Sequence, residues 1–249
     1  PRRRDWLHPM QLRSFQPQRF TESALFRATA NGDELLVKVY DGRLAELRRD
    51  LESRKLTHWA DSGFSVPAVF DITVPGIDQP YLVMPFIESL TLSQFLKQRD
   101  RPLQDKQATL SAVFKDNALR HNLALSTDDP LLIHTDPNTD NVLVTRGGTV
   151  HIDFEHPSKK KSVSQAVAQE IAAFVRRVSN DLEKTHLPTT IDSMFSAYGR
   201  NRGLFRHVVD LTTGRPLQFI HRHKDRTRKR SHPQIVTRYD IADAIKQHL

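Results

Sequence analysis

The sequence predicts an α+β protein with a strand-rich first part and a mainly helical second part. Short apolar runs bounded by Gly, Pro and Asn dominate the first hundred residues, and segment 163–182 repeats its apolar residues at helical spacing. A compact hairpin pattern over 141–154, within the second part, lies among the candidate chemical residues. We therefore expect one catalytic unit with a bilobal fold, an N-lobe over 1–86 and a C-lobe over 87–249, in which no motif places 183–249.

The clearest turn in the first part is Asn31-Gly32, because both central positions of a two-residue hairpin turn favour positive φ. Strand-like runs flank this turn, at Leu25–Ala30 and Glu34–Tyr40. Apolar residues then recur at helical spacing, at Leu47, Leu51, Leu56 and Trp59, and predict a helix over Ala45–Ala60 with these residues on its inner face. Two more strand-like runs follow the helix, at Ala68–Val74 and Tyr81–Ile87.

Helices are expected through most of the second part. The candidates are Leu90–Arg99, Leu103–Leu125, Val163–Leu182 and a last short helix, Ile241–Leu249. Two compact strands, Asn141–Thr145 and Thr149–Phe154, surround a Gly-Gly turn. His221-Arg-His223 is interpreted as a strand-like pair in a solvated basic segment, and the absence of an HEXXH motif gives no support for zinc.

Composition excludes several classes of protein. With no cysteine, the chain has no disulfide scaffold, iron–sulfur cluster or thiol nucleophile. No apolar run approaches the roughly 18–20 residues that span a bilayer, and no apolar stretch follows the first arginines. We expect a soluble, cytoplasmic protein, with peripheral contact to an acidic membrane surface as a further expectation. Because the chain begins at Pro rather than Met, an N-terminal piece can be missing.

A net charge of +8 favours anionic partners, since basic residues cluster at 2–4 and 222–230. The alternative is that these clusters are solvated segments that aid solubility. Few aromatic residues accompany the second cluster, so a base-stacking surface for nucleic acid is not evident, although nucleic acid stays open as a partner.

Segment 131–157, LLIHTDPNTDNVLVTRGGTVHIDFEHP, contains the most informative polar residues. Asp136 and Asn141 precede one short strand and Asp153 ends the next, so a tight hairpin would bring their oxygen atoms to the same end. Carboxylate and amide oxygens suit Mg²⁺. The alternative is an ordinary polar turn between two strands.

The combination of HxDxxxxN, a short hairpin and IDF resembles the protein-kinase-like superfamily. The best local resemblance is to lipopolysaccharide-core (Kdo and heptose) kinases and to the small atypical kinase of the KEOPS complex. It implies ATP and Mg²⁺ as cofactors, Asp136 as the catalytic base, Asn141 and Asp153 as metal ligands, and a structural role for His134.

Lys38 lies in the apolar strand LLVKVY, where a lysine needs a partner or a ligand unless it faces solvent. The resemblance implies that Lys38 binds phosphate and pairs with a helix acid. Glu52 fits best by its spacing to Val66-Pro67, with Glu46 and Asp50 as competitors on the same helix.

The segment YLVMPFIESL resembles the hinge between kinase lobes. This implies that Met84 guards the back of the adenine pocket, that Pro85 offers its carbonyl and that Ile87 offers its backbone N–H; the alternative is a plain buried strand. No glycine-rich loop is present, so the phosphate-covering turn would be built from Arg19–Ala24 with Thr21 and Ser23 as polar groups.

Departures from the superfamily pattern indicate the acceptor. Asn138 stands where protein kinases usually have Lys, Glu155 replaces the DFG glycine, and little room exists for an activation loop. The sequence thus predicts transfer of the γ-phosphate of ATP to a hydroxyl of an acidic or phosphorylated saccharide, such as a lipopolysaccharide core sugar. The alternatives are an atypical serine/threonine protein kinase or ATPase, and a pseudokinase scaffold that binds an anionic partner.

Overall fold

A computed structural model describes residues 2–3, 11–15, 23–158, 162–214 and 218–249. The chain forms two compact units, one of Pro1–Ser89 with Val150–Pro157 and the other of Leu90–Thr149 with Ser158–Leu249. The predicted α+β class is confirmed, with strands concentrated in the first part and helices in the second. Among the described residues, no helix combines the length and the apolar character that crossing a membrane requires.

The first unit is built on a six-stranded sheet with one long helix. Its strands are β1 (Arg2–Arg3), β2 (Gln11–Phe15), β3 (Ala24–Ala30), β4 (Asp33–Val39), β5 (Phe70–Asp71) and β6 (Tyr81–Pro85), in the order β1-β5-β6-β4-β3-β2. Helix α1 spans Ala45–Asp61. The pairs are antiparallel except β1 with β5. As the sequence predicts, Asn31 and Gly32 both have positive φ in the turn between β3 and β4.

The sheet register places Lys38 on the face opposite to the apolar core. Alternate residues of β4, Leu35, Val37 and Val39, pack into that core, so the residues between them face the other side. Lys38 lies opposite Leu82 of β6 in the ladder. Residues directly opposite each other share a face, so this side of the sheet presents a lysine among apolar neighbours.

Two strand predictions in this unit are wrong in extent. The run Ala68–Val74 contains only the two-residue strand β5. The Tyr81 hydroxyl accepts a hydrogen bond from the Val74 amide at 2.9 Å and donates to the Ile72 carbonyl at 3.2 Å, which gives this backbone partners outside a ladder. Strand β6 ends at Pro85 rather than Ile87, although the Phe86 amide still donates to the Glu34 carbonyl of β4 at 2.9 Å.

The second unit is mainly helical. Its helices are α2 (Leu92–Lys97), α3 (Leu103–Thr127), α4 (Val163–Leu182), α5 (Leu187–Ala197), α6 (Arg202–Thr213), α7 (Gln218–Ser231) and α8 (Arg238–Lys246). A small sheet has the strand order β7 (Leu90–Thr91), β8 (Val142–Thr145) and β9 (Gly148–His151), and the last two residues of β9 are counted with the first unit. Helix α4 has the predicted bounds and buries the predicted apolar stripe.

Segment 183–249, which no motif places, forms helices α5 to α8. The strand-like interpretation of His221-Arg-His223 is wrong, because these residues lie within α7. The last helix begins at Arg238 rather than Ile241, because Thr237 caps it in a reciprocal capping box with Asp240.

The hairpin strands are shorter than predicted. Strand β8 begins at Val142 because Thr139–Asn141 form a 3₁₀ turn, with the Asn138 side chain accepting from the Asp140 amide. Strand β9 ends at His151, two residues before Asp153, whose φ of 72° is incompatible with a strand. Both differences leave the polar residues of the hairpin in turns rather than in the ladder.

Candidate active site

Lys38 is the centre of a buried ionic cluster in the first unit. Its Nζ donates to Glu52 Oε2 at 2.7 Å and to Asp153 Oδ1 at 2.7 Å, and it lies 3.2 Å from Glu155 Oε2. Burial alone lowers the pKa of Lys38, but the negative charges of these carboxylates outweigh burial and raise the pKa above its ordinary value. Lys38 is therefore an ammonium group held between carboxylates.

Glu52 is the acid of α1 that contacts Lys38. The Tyr40 hydroxyl donates to the same Oε2 atom at 2.6 Å. Burial, followed by the Glu52 charge, raises the pKa of Tyr40, so its hydroxyl keeps its proton and remains a donor. The competitors Glu46 and Asp50 are exposed, and Asp50 pairs with its neighbour Arg49 at 3.0 Å.

Asp153 occupies a turn that its two successors fix. Its backbone is in the left-handed region, which non-glycine residues seldom adopt. Phe154 is fully buried, with its ring 4.6 Å from the Trp59 ring of α1. Glu155 is also buried and accepts from Ser23 Oγ at 3.0 Å and from Arg48 Nη2 at 2.8 Å.

Sequence reasoning missed Tyr40 and Arg48, and it treated Glu155 only as a departure from a pattern. Arg48 precedes Glu52 by four residues and so lies on the same face of α1, but this spacing does not by itself indicate a contact with Glu155. Tyr40 follows Lys38 by two residues in the sequence. Neither position belongs to the motifs that carried the resemblance.

The second unit contains Asp136 and Asn141. The Asn141 amide nitrogen donates to Asp136 Oδ2 at 3.1 Å and to the Asp136 carbonyl at 3.0 Å. Asn141 is buried, whereas Asp136 is half-buried. The amide thus fixes one carboxylate oxygen of Asp136 and turns its own oxygen away from that carboxylate.

The loop before Asp136 is anchored by an ion pair between α3 and α4. Arg120 donates to Glu170 and, at 2.6 Å, to the Leu132 carbonyl, and the backbone N–H of His134 donates to Glu170 Oε2 at 2.9 Å. Burial raises the pKa of Glu170, but the charges of Arg120 and His121 outweigh burial and hold it well below its usual range. The His134 side chain is buried, as a structural role would require.

The described residues predicted to bind the nucleotide all belong to the first unit. Met84 is buried opposite Leu36, on the same face of the sheet as Lys38, and Pro85 and Ile87 follow it, half-buried. Ser23 donates to Glu155. Thr21 and most of the predicted turn Arg19–Ala24 lie outside the described residues, so their role stays a prediction.

The donor chemistry suits a hard cation. One oxygen from each of Glu52, Asp153 and Glu155 lies within 4.8 Å of the others, and the Lys38 ammonium already contacts all three residues. Asp153 is the most exposed of the three side chains, at 17%. Asp153 is therefore the acid of this cluster best placed to exchange a protein contact for Mg²⁺, which prefers oxygen ligands.

Comparison with known proteins gives a structural match only. No protein-family model matches the chain, and no curated protein matches its sequence. The solved structure of WaaP in complex with acyl carrier protein is similar at a TM-score of 0.56 and 15% identity, covering 87% of this chain and 89% of that one. The chain has a kinase-like fold. At this level of identity the likeness shows a shared fold.

Proposed function

We propose that this protein is a phosphotransferase that moves the γ-phosphate of ATP, with Mg²⁺, to a hydroxyl group of an acidic or phosphorylated saccharide. The observation that carries the proposal is the buried contact of Lys38 with both Glu52 and Asp153, each at 2.7 Å. Burying three ionised groups together is costly, and a purely structural role would be served as well by apolar residues of similar volume. We therefore infer that a ligand replaces part of these contacts when it binds, and that the buried charges are retained for this ligand.

Each residue then has a distinct role in the transfer. Lys38 binds phosphate oxygens as a fixed positive charge, and Glu52 and Tyr40 hold it in place. Asp136 Oδ1 accepts the proton of the acceptor hydroxyl, while Asn141 holds Oδ2. Asp153 and Asn141 are the residues that would hold Mg²⁺. When bound, Mg²⁺ would neutralise phosphate charge.

The saccharide acceptor rests on charge and on the catalytic loop. The chain carries a net charge of +8, and α7 contributes three exposed cations, Lys224, Arg226 and Arg230. Asn138 uses its side chain to cap the 3₁₀ turn before β8, so this position serves the loop's own structure and supplies no cation for a peptide substrate. The likeness to the WaaP structure supports a kinase-like phosphotransferase, and the saccharide acceptor is our proposal from the charge and the loop.

A two-stage experiment tests the proposal. Thermal shifts are first measured with ATP or GTP, each with Mg²⁺ or with EDTA, for the wild type, for Lys38→Met and for Lys115→Met, which removes an exposed lysine of α3. We expect stabilisation by ATP with Mg²⁺ in the wild type and in Lys115→Met, and its loss in Lys38→Met, because only Lys38 belongs to the ionic cluster.

Radiolabelled ATP is then supplied with three acceptors: a phosphorylated core saccharide, the same saccharide after phosphatase treatment, and casein. We expect label on the phosphorylated saccharide first. Faster labelling of casein would replace the saccharide by a protein acceptor, and release of phosphate alone would indicate an ATPase. Nucleotide binding without any transfer would identify a pseudokinase scaffold.

A further inference from the structure

Helix α1 makes a second ion pair beside the one that reaches Lys38. Arg48 lies four residues before Glu52, on the same face of the helix. Its Nη2 donates to Glu155 Oε1 at 2.8 Å and to Ser23 Oγ at 3.1 Å, and its Nη1 reaches the Asp41 carbonyl at 3.4 Å. Arg48 thus links α1 to the start of β3, to the end of β4 and to the segment after β9.

The two ion pairs have opposite polarity. In one, an acid of α1, Glu52, holds the strand cation Lys38; in the other, a cation of α1, Arg48, holds the loop acid Glu155. Glu155 Oε2 also lies 3.2 Å from Lys38, so Glu155 competes with Asp153 for the lysine. The Arg48 charge and the hydrogen bond from Ser23 both stabilise the Glu155 carboxylate, which limits that competition.

The Arg48–Glu155 ion pair also helps to fix the backbone conformation of Asp153. A left-handed aspartate persists only where its surroundings fix it. Phe154 fixes one side of the turn through its burial against Trp59, and Glu155 fixes the next position through Arg48 and Ser23. Asp153 is therefore held between an apolar anchor and an ionic one.

We propose that Arg48 and Glu155 are positioning residues that set the Asp153 carboxylate, and the share of Lys38 available to phosphate, for Mg²⁺–nucleotide binding. The inference rests on the proposed function. It assigns Glu155 to a protein contact rather than to the metal. Partners that orient a ligating residue typically change metal affinity or activity by about 10- to 100-fold when removed.

The test compares Arg48→Gln, Glu155→Gln and the double variant with Arg49→Gln, which removes the neighbouring positive charge from an exposed ion pair on the same helix. The measurements are the dissociation constant of a fluorescent ATP analogue with and without Mg²⁺, and amide hydrogen exchange of residues 150–157 in the nucleotide-free protein. We expect each single variant to weaken Mg²⁺-dependent binding about tenfold or more, and Arg49→Gln to match the wild type.

The double variant is the decisive arm. If Arg48 and Glu155 act as one unit, the double variant should lose no more nucleotide affinity than the weaker-binding single variant. If the two residues act independently, the fold-losses in affinity should multiply. Exchange at 150–157 should rise in the three variants that break the pair and stay unchanged in Arg49→Gln. Asp153→Asn should remove Mg²⁺-dependent binding far more completely than Glu155→Gln.

Different results overturn different statements. Wild-type protein that binds no nucleotide removes the proposed function, and the role of the pair in nucleotide binding falls with it. If the wild type binds nucleotide and both Arg48→Gln and Glu155→Gln bind it equally well, only the positioning inference is removed. Multiplying losses, or unchanged exchange at 150–157 in both single variants, also removes it, even where activity falls.

Discussion

In the Asp136 side chain, one hydrogen bond gives the two carboxylate oxygens different roles. Asn141 donates to Oδ2, so the proton of an acceptor hydroxyl is assigned to Oδ1. We expect Asp136→Ala to leave nucleotide binding nearly intact and to lower turnover by about 10²-fold or more, the usual loss for a general base. Steady-state kinetics and nucleotide titration on the same preparation measure both effects.

The control for this substitution is Asp140→Asn in the same loop, where the carboxylate accepts from the Thr91 hydroxyl at 3.2 Å. It changes the loop charge equally, and its turnover should fall far less than that of Asp136→Ala. Undiminished turnover in Asp136→Ala would remove Asp136 as the base.

Lys38 and Glu52 are expected to behave as one functional unit. Replacing Lys38 removes the cation that lies 2.7 Å from the buried Glu52, and replacing Glu52 removes one of the two carboxylates that lie 2.7 Å from Lys38. Lys38→Met and Glu52→Gln should therefore each lower activity. The double variant should cost much less than the sum of the two single losses in ΔG‡. Activity and the KM for ATP, measured across the four proteins, give the coupling; strictly additive losses would show that the 2.7 Å contact has no functional role.

The resemblance of segment 52–67 to the corresponding kinase segment selected Glu52 over Glu46 and Asp50, and Glu52 is the one of the three that contacts Lys38. It could not identify Arg48 or Tyr40. Arg48 contacts Glu155, which is 107 residues away in the sequence, and Tyr40 contacts Glu52, which is 12 residues away. No local pattern encodes such contacts.

At the level of the elements, α1 shows why apolar periodicity predicted the helix correctly but its inner face only in part. Leu56 and Trp59 are buried as expected, whereas Leu47 is 60% exposed. The helix instead buries Glu52 and Lys55. A helix that carries an ionic cluster inward departs from the rule that apolar residues mark the core face, so the site itself limits the prediction.

Helices α3 and α4 hold the loop before Asp136 through a buried ion pair. Because the pKa of Glu170 is lowered in the folded state, its contribution to stability is complete above the unfolded value of about 4.3 and is lost as the pH falls towards the lowered folded value. Arg120 and His121 supply the positive charge, and the Tyr198 hydroxyl contacts His121 at 2.7 Å.

We expect Glu170→Gln to lower the free energy of unfolding by about 3–5 kcal/mol at pH 7, since it leaves Arg120 buried without its anion. The difference from the wild type should shrink as the pH falls below about 4. Urea unfolding at several pH values measures this, with Asp243→Asn, an exposed acid on α8, as the control. A difference that stays constant down to about pH 3 would contradict the linkage.

Over the whole molecule, the predictions succeed where local pattern determines structure and fail where distant contacts do. The β3–β4 hairpin and α4 lie almost where the sequence places them. Helices α5 to α8 had no motif, and α7 in particular has a polar composition that resembles a solvated segment. Contacts with α8 determine which side of α7 packs inward: Lys229 pairs with Asp240 at 2.6 Å, and Arg222 lies over the Tyr239 ring.

These contacts divide the Lys and Arg side chains of α7 that the structure describes into two classes. Lys229 and Arg222 are engaged with α8, whereas Lys224, Arg226 and Arg230 are exposed. Only the second class can attract an anionic acceptor without disturbing the packing of the helix. A variant that tests the role of charge should therefore keep Lys229.

We expect replacement of Lys224, Arg226 and Arg230 by Ser to raise the KM for a phosphorylated saccharide at low salt while the KM for ATP changes less. Attraction by exposed charges is screened over about 8–10 Å at physiological ionic strength, so added salt should raise the wild-type acceptor KM towards that of the variant. The matched control replaces three exposed cations elsewhere, Arg43, Arg54 and Lys115, and changes the net charge equally. Because both triple variants lose the same charge, a larger effect from α7 locates the acceptor's attraction on that helix. Equal effects would assign it to the overall charge of +8, and a wild-type KM in both would make the basic run a solubilising segment.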